Sequence, residues 1–329
     1  MNNGAKEPKA SSPTPKGLAR LVASIYFRFY LMVLRCLSQW NNPRALCFSR
    51  LINPLFTFPL RQQRRKNLAL LFPDSEQTPT QRRQLEKKHL SYLAFVRVEM
   101  AHIFLRMTPQ QVKQKSTVSG MEHLETALKQ GKGVLLIEGH FGHWNCTAAL
   151  LAALGYPVTV VVNPDPIPGA NLKSLHEQGA RTMGAKVAFV GQDAYSSAKE
   201  TFRNNGIFYL NIDVPVRTKH CQWFPFGNAA IQIDPGPAIM ALRHRVPVIF
   251  AHNLLSETGA NITLLPAANA AESATRPAPE SLLQNWLEMF YEVVRQHPAQ
   301  WWALNYINLS NSSVLQRREL NLASPAVNA

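Results

Sequence analysis

Acidic residues are almost missing from the start of this chain. Up to Lys66 it carries twelve Lys or Arg residues and a single carboxylate, Glu7. The remaining residues hold 23 basic and 19 acidic side chains, so the net charge of +15 belongs to the N-terminal part. A field placed in this way suits an anionic membrane surface, an acidic protein partner or nucleic acid. Nucleic acid is the weakest of the three. It explains neither the apolar residues woven among the N-terminal arginines nor the strand pattern that follows them, and no nucleic-acid partner is expected.

Cysteine is scarce as well. The four residues Cys36, Cys47, Cys146 and Cys221 show neither a paired spacing nor a zinc pattern, which excludes a disulfide framework and points to a reducing compartment. No metal and no cofactor is expected. A clean membrane-spanning run is also lacking: the nearest, Leu21 to Leu37 (LVASIYFRFYLMVLRCL), is short and carries Arg28 and Arg35. At about 100° per residue, Arg20, Arg28 and Arg35 fall within roughly 80° of one another, leaving the rest of the helix apolar. This is the pattern of an interfacial helix, and an ordinary domain helix with a solvated basic face is the alternative. Without the small-residue cleavage site of a signal peptide, the helix is expected to be kept and to face the cytoplasm. No repeat or low-complexity segment occurs. Residues 1–17 and 311–329 read as unstructured tails.

What is present is an alternation of short apolar runs with helical stretches. Two helices are predicted between Arg61 and Met107, with TPTQ starting the second. Beyond Pro109, strands are predicted at 133–137, 158–162, 186–190, 207–213, 246–255 and 261–266. Helices are predicted at Asn145–Leu154, Ala170–Met183, Tyr195–Asn204, Gly236–His244 and Glu280–Gln296. The alternation predicts an α/β fold with a largely parallel central sheet flanked by helices.

The stretch EGHFGHWNC, Glu138 to Cys146, begins at the C-terminal end of one predicted strand, where open α/β sheets place their chemistry. His140 there could serve as a general base, provided a second group fixes its tautomer. His140 and His143 also have helical spacing for a metal pair, but no acidic or cysteine partner flanks them at a familiar distance.

These residues resemble a family, the bacterial late acyltransferases of lipid A biosynthesis (lauroyl and myristoyl transferases) in the lysophospholipid acyltransferase superfamily. The resemblance runs from about Arg20 to Ile307. It is carried by the basic apolar N-terminal helix, RRKNLALLFPD (64–74), GVLLIEGHFGHW (133–144), RTMGAKV (181–187), the NID…WFPFGNAAIQIDPGPAIMALRHRVPVIFA block (211–251) and HPAQWWALNY (297–306).

The resemblance implies a glycerolipid-acyltransferase-like fold. Residues 18–60 would form a membrane-associated segment and 61–310 the acyltransferase domain, on the cytoplasmic face of the bacterial inner membrane. The implied reaction moves a fatty acyl group from an acyl carrier protein or coenzyme A thioester to a hydroxyl or amine of a lipid or lipid-like acceptor. The family motif H-x-x-x-x-[DE] assigns His140 as the base, but its acid position is occupied here by Asn145. An amide can hold a ring, but it cannot offset the charge that develops on it. Glu138 and Asp213 are then the candidate substitutes: Asp213 matches an aspartate the family keeps and is expected to line the site, while Glu138, two residues before His140 and on the same side if the strand continues, is the expected rescue, a strand-end carboxylate in solvent being its alternative. A fold that binds lipid or carrier protein without turnover is the alternative. Around this centre, His143 and Trp144 are expected to contact substrate, Arg181 and Arg217 to hold phosphate, and Phe224 and Phe226 to wall an acyl chain. Asn305 and Ile307 stand where the family tends to carry His and Arg, a difference bearing on the acceptor.

Overall fold

The computed structural model describes residues 17–73, 75–163, 173–214, 220–256, 259–267 and 277–315. Four helices come first: α1 (Gly17–Gln39), α2 (Asn42–Thr57), α3 (Arg61–Leu71) and α4 (Pro79–Leu105). The start of α4 follows from TPTQ. The Thr78 hydroxyl accepts from the Gln81 amide at 3.3 Å, the Gln81 side chain accepts from the Thr78 amide at 2.8 Å, and Pro79 fills a position whose N–H needs no partner.

The α/β part follows with α5 (Pro109–Gln114), β1 (Ser116–Ser119), α6 (Met121–Leu128), β2 (Val134–Glu138), α7 (Asn145–Ala153), β3 (Val158–Val162), α8 (Lys173–Met183), β4 (Lys186–Phe189), α9 (Ala194–Arg203) and β5 (Ile207–Asn211). It closes with β6 (Gln222–Phe226), β7 (Ala229–Ile233), α10 (Gly236–His244), β8 (Val248–Ser256), β9 (Gly259–Pro266), α11 (Pro279–Gln296) and β10 (Leu309–Asn311).

The expected central sheet is present. Its seven strands run β1-β9-β8-β2-β5-β3-β4, and every pairing is parallel except β8 with β9. β2 lies in the middle and is buried on both faces, as its unbroken apolar text requires. Leu135 and Ile137 enter one core cluster, with α9, α10 and α11, while Val134 and Leu136 enter the other, with α6 and α7. Burial of each such side chain contributes roughly 1.5–3 kcal/mol.

A second, antiparallel sheet, β10-β7-β6, was not anticipated. Asn311 still pairs in it with Ala229, so regular structure runs past the expected boundary at residue 310.

No helix among the described residues is long and apolar enough to cross a membrane. α1 buries Val33, Leu34 and Leu37 in a cluster shared with α2 and α4, and exposes Ile25, Phe29 and Met32 beside Arg28 and Arg35.

Candidate active site

The site begins with a register. β2 and β5 are parallel neighbours, with Glu138 opposite Asn211. Two residues further along each chain, the same offset brings His140 beside Asp213. His140 Nδ1 donates to Asp213 Oδ1 at 2.7 Å, and the His140 amide donates to Oδ2 at 3.0 Å. A one-residue slip would shift one strand by about 3.3 Å and break both bonds.

Asp213 is fully buried and also accepts from the Trp301 indole at 2.8 Å. A carboxylate only accepts, so the proton of this contact sits on Nδ1, and in the neutral ring Nε2 then carries the lone pair. Asn211 Nδ2 lies 3.4 Å from that nitrogen. The ring stands edge-on to Trp144, with centroids 5.3 Å apart, and lies 5.4 Å from Trp302. Its side chain retains 21% exposure, enough to be reached from outside. The arrangement can take a proton from a bound hydroxyl and return it to a leaving group.

The loop that carries His140 is clamped. Gly142 has φ 55°, and any side chain there would strike the Asn253 carbonyl. Its own carbonyl accepts from the Tyr92 hydroxyl at 2.7 Å, and its N–H donates to the Gln300 carbonyl at 2.9 Å. That N–H is therefore spoken for, although the amides from Gly142 to Asn145 would be expected to receive an oxyanion at a strand-to-helix turn. The His140 carbonyl accepts from the Trp302 amide at 2.9 Å, so the segment around residues 300–302 straps the loop down.

Glu138 does not take the place expected of it. Strand alternation sends its side chain towards α7, where Oε1 accepts from the Thr147 hydroxyl at 3.2 Å and Oε2 lies 2.7 Å from the Tyr209 hydroxyl. Tyr209 has one proton, and besides Glu138 it faces the Trp144 carbonyl at 3.1 Å and Asn211 Oδ1 at 3.2 Å. Of these contacts the bond it donates to Glu138 is the shortest. Burial, with the Asp213 charge adding to it, pushes the Glu138 carboxyl up to about 8.

Unfolded, this group ionises near 4.5. Between the two values the folded state binds the extra proton, so stability falls as pH rises through that window. Glu138→Gln keeps the shape of the side chain and an acceptor oxygen for its neighbours, and it cannot ionise. It is expected to stabilise the protein at pH 7 by on the order of 3 kcal/mol and to flatten its Tm against pH. Thermal melts of both proteins across this window check it, and parallel pH profiles would refute it.

His143 also departs from expectation. It is buried against Glu99 of α4, 3.6 Å away, and presents no surface to a substrate. Burial opposes a charge on its ring, but the neighbouring Cys146 sulfur and Glu99 carboxylate outweigh this and push its pKa up to about 10.

Trp144 lies against His140 as expected. Phe224 and Phe226 face inward from β6 and pack in the core, Phe226 against Phe290, Tyr291 and Trp301, and Phe226 also borders a small cavity of about 250 Å³ between β6 and α11. Arg181 is exposed in the last turn of α8. Arg217 lies outside the described residues. Among the described residues, no group of three or more His, Cys, Asp or Glu side chains is placed to hold a metal ion.

The family model for bacterial lipid A biosynthesis acyltransferases matches residues 16–306, nearly the whole chain. This chain belongs to that family. A lipid A biosynthesis acyltransferase of Haemophilus influenzae is 29% identical over 104 residues, a stretch spanning 32% of this chain and 32% of that protein.

Against the family pattern, Asn145 opens α7, and its Nδ2 has no hydrogen-bond partner. The hydrogen bonds of the His140 ring run to Asp213 and Asn211. A carboxylate at 145 would find Nδ1 already taken.

The differences at 305 and 307 are internal. Asn305 is buried, accepts from Arg64 at 3.2 Å and donates to His89 Nε2 at 2.8 Å. His89 Nδ1 donates to the Ala299 carbonyl at 2.9 Å. Both ring nitrogens are thereby matched in the neutral state, and burial lowers the pKa to about 4. Ile307 is buried, and its carbonyl accepts from Gln63 and Asn67. These positions hold the strap to α3 and α4.

Proposed function

We propose that this protein transfers a fatty acyl group from a thioester of an acyl carrier protein or coenzyme A to a hydroxyl of a membrane lipid or lipid-like acceptor. The His140–Asp213 pair, which in the neutral ring turns the lone pair of Nε2 outward just past the end of the central strand, is the observation that carries this reading. Nε2 takes the acceptor proton, the acceptor oxygen bonds to the thioester carbonyl carbon, the C–S bond breaks, and the imidazolium returns the proton to the departing thiolate. Asp213 balances the transient charge on the ring. No acyl-enzyme is needed.

A fold that binds without turnover was motivated by Asn145, and the contact of His140 with Asp213 supports turnover over it. The exposed apolar residues of α1, set beside Arg28 and Arg35, support a location on the cytoplasmic face of the inner membrane, where the basic N-terminal region would also draw an acidic carrier protein. Incubating the full chain with acyl carrier protein thioester or acyl-CoA and an extract of bacterial lipids is expected to give an acylated lipid, detected by mass spectrometry with stoichiometric release of thiol. Thiol release without an acylated product would leave only hydrolysis. No turnover with either donor would return the binding-only reading.

A further inference from the structure

A cavity of about 480 Å³ opens between α2, α3 and α4. Arg50, Arg61, Arg64, Arg65, Arg83 and Lys87 line it, and Glu86 is the single carboxylate among its lining residues. That carboxylate is already shared. It accepts from Arg64 at 2.8 Å and from Arg65 at 3.1 Å; burial works against its charge, but these bonds outweigh burial and hold its pKa below the ordinary value.

Arg64 is further occupied by the Thr57 carbonyl and Asn305. Arg50, Arg61, Arg83 and Lys87 are exposed, and among the described residues none has a carboxylate within ion-pair distance. Below them the floor is built. Asn53 donates to the Leu90 carbonyl at 2.8 Å and accepts from the buried Arg97 at 3.1 Å, tying α2 to α4.

Converging cations repel one another until an anion enters, and guanidinium groups match the oxygens of a phosphate. The rim adds a second requirement. Pro54 and Phe58 border the cavity, and Leu51, Leu55 and Phe58, on consecutive turns at the end of α2, are 76%, 59% and 67% exposed. A soluble phosphate would leave that apolar stripe in water, whereas a lipid satisfies both surfaces.

We propose that this cleft binds the phosphate of an anionic lipid headgroup, with the acyl region against the α2 stripe. This binding does not depend on chemistry at His140.

The test uses the full chain and phosphatidylcholine vesicles doped either with phosphatidic acid or, at equal surface charge, with oleic acid. Wild type is expected to cosediment preferentially with phosphatidic acid. Combining Arg50→Glu, Arg83→Glu and Lys87→Glu is expected to lower that binding about a hundredfold or more and to abolish the preference. The corresponding glutamine variants, which spare the fold a charge reversal, should also lose the preference. Arg28→Glu with Arg35→Glu on α1 should weaken binding to both vesicles alike, and His140→Ala should bind as wild type whether or not it turns over. Equal losses on both vesicles in the cleft variants would mean diffuse charge attraction and overturn the proposal. So would inorganic phosphate binding the cleft as tightly as the phosphatidic acid vesicles do.

Discussion

Asp213→Asn is expected to lower turnover about ten-thousandfold while leaving the fold intact. The carboxylate accepts from three donors at once: the His140 amide, His140 Nδ1 and the Trp301 indole. An asparagine presents one oxygen and one amino group to the same three donors. Its amino group, turned to the ring, would make Nδ1 the acceptor and move the proton to Nε2, where the base is needed. The same exchange in serine protease triads costs about four orders of magnitude for this reason. Steady-state kinetics beside circular dichroism and melting checks it. A loss below about tenfold in a folded variant would show that Asp213 does not set the tautomer.

His140→Ala is expected to cost roughly a hundredfold to ten-thousandfold in turnover with little change in Tm, because the ring is partly exposed and Asp213 keeps its bonds from the backbone and Trp301. His143→Ala should do the reverse. It strips a buried ring from Glu99 and leaves that carboxylate uncompensated, a change of about 3–5 kcal/mol in stability. Activity should persist below its lowered Tm. Equal turnover in wild type and folded His140→Ala would remove the ring from the reaction, and an unchanged Tm in His143→Ala would show that the Glu99 contact holds nothing in place.

Much of this was legible in the text. Apolar runs located the central strands, VTVVV coinciding with β3 from end to end, and TPTQ located the start of α4. Four strands escaped notice: β1, a short STVS at the edge of the central sheet, and the three of the second sheet, β6, β7 and β10. QWFPF in β6 contains a proline and AAIQI in β7 is rich in alanine, so neither reads as a strand by propensity. Their pairing with each other and with three residues near the C-terminus defines them. Phe224 and Phe226 show a related limit: aromatic content shows in a sequence, but what it packs against does not.

His140 could be found from the sequence because it follows the end of a strand, and strand ends follow from local pattern. The resemblance named Asp213 beside Glu138, but the choice between them could not be made there, because residues 140 and 213 meet only through the parallel register of β2 and β5, a non-local pairing set by the whole sheet. Glu138 shows the limit most directly. Two positions before His140 in a strand suggests a shared side, but β2 ends at Glu138, and the chain beyond Gly139 leaves the alternation. Composition and local periodicity determined the charge of the N-terminal region, the α/β class and the histidine. Only the tertiary structure decided which carboxylate serves that histidine and which is buried to carry a proton, because ionisation and hydrogen bonding depend on neighbours that are distant along the chain.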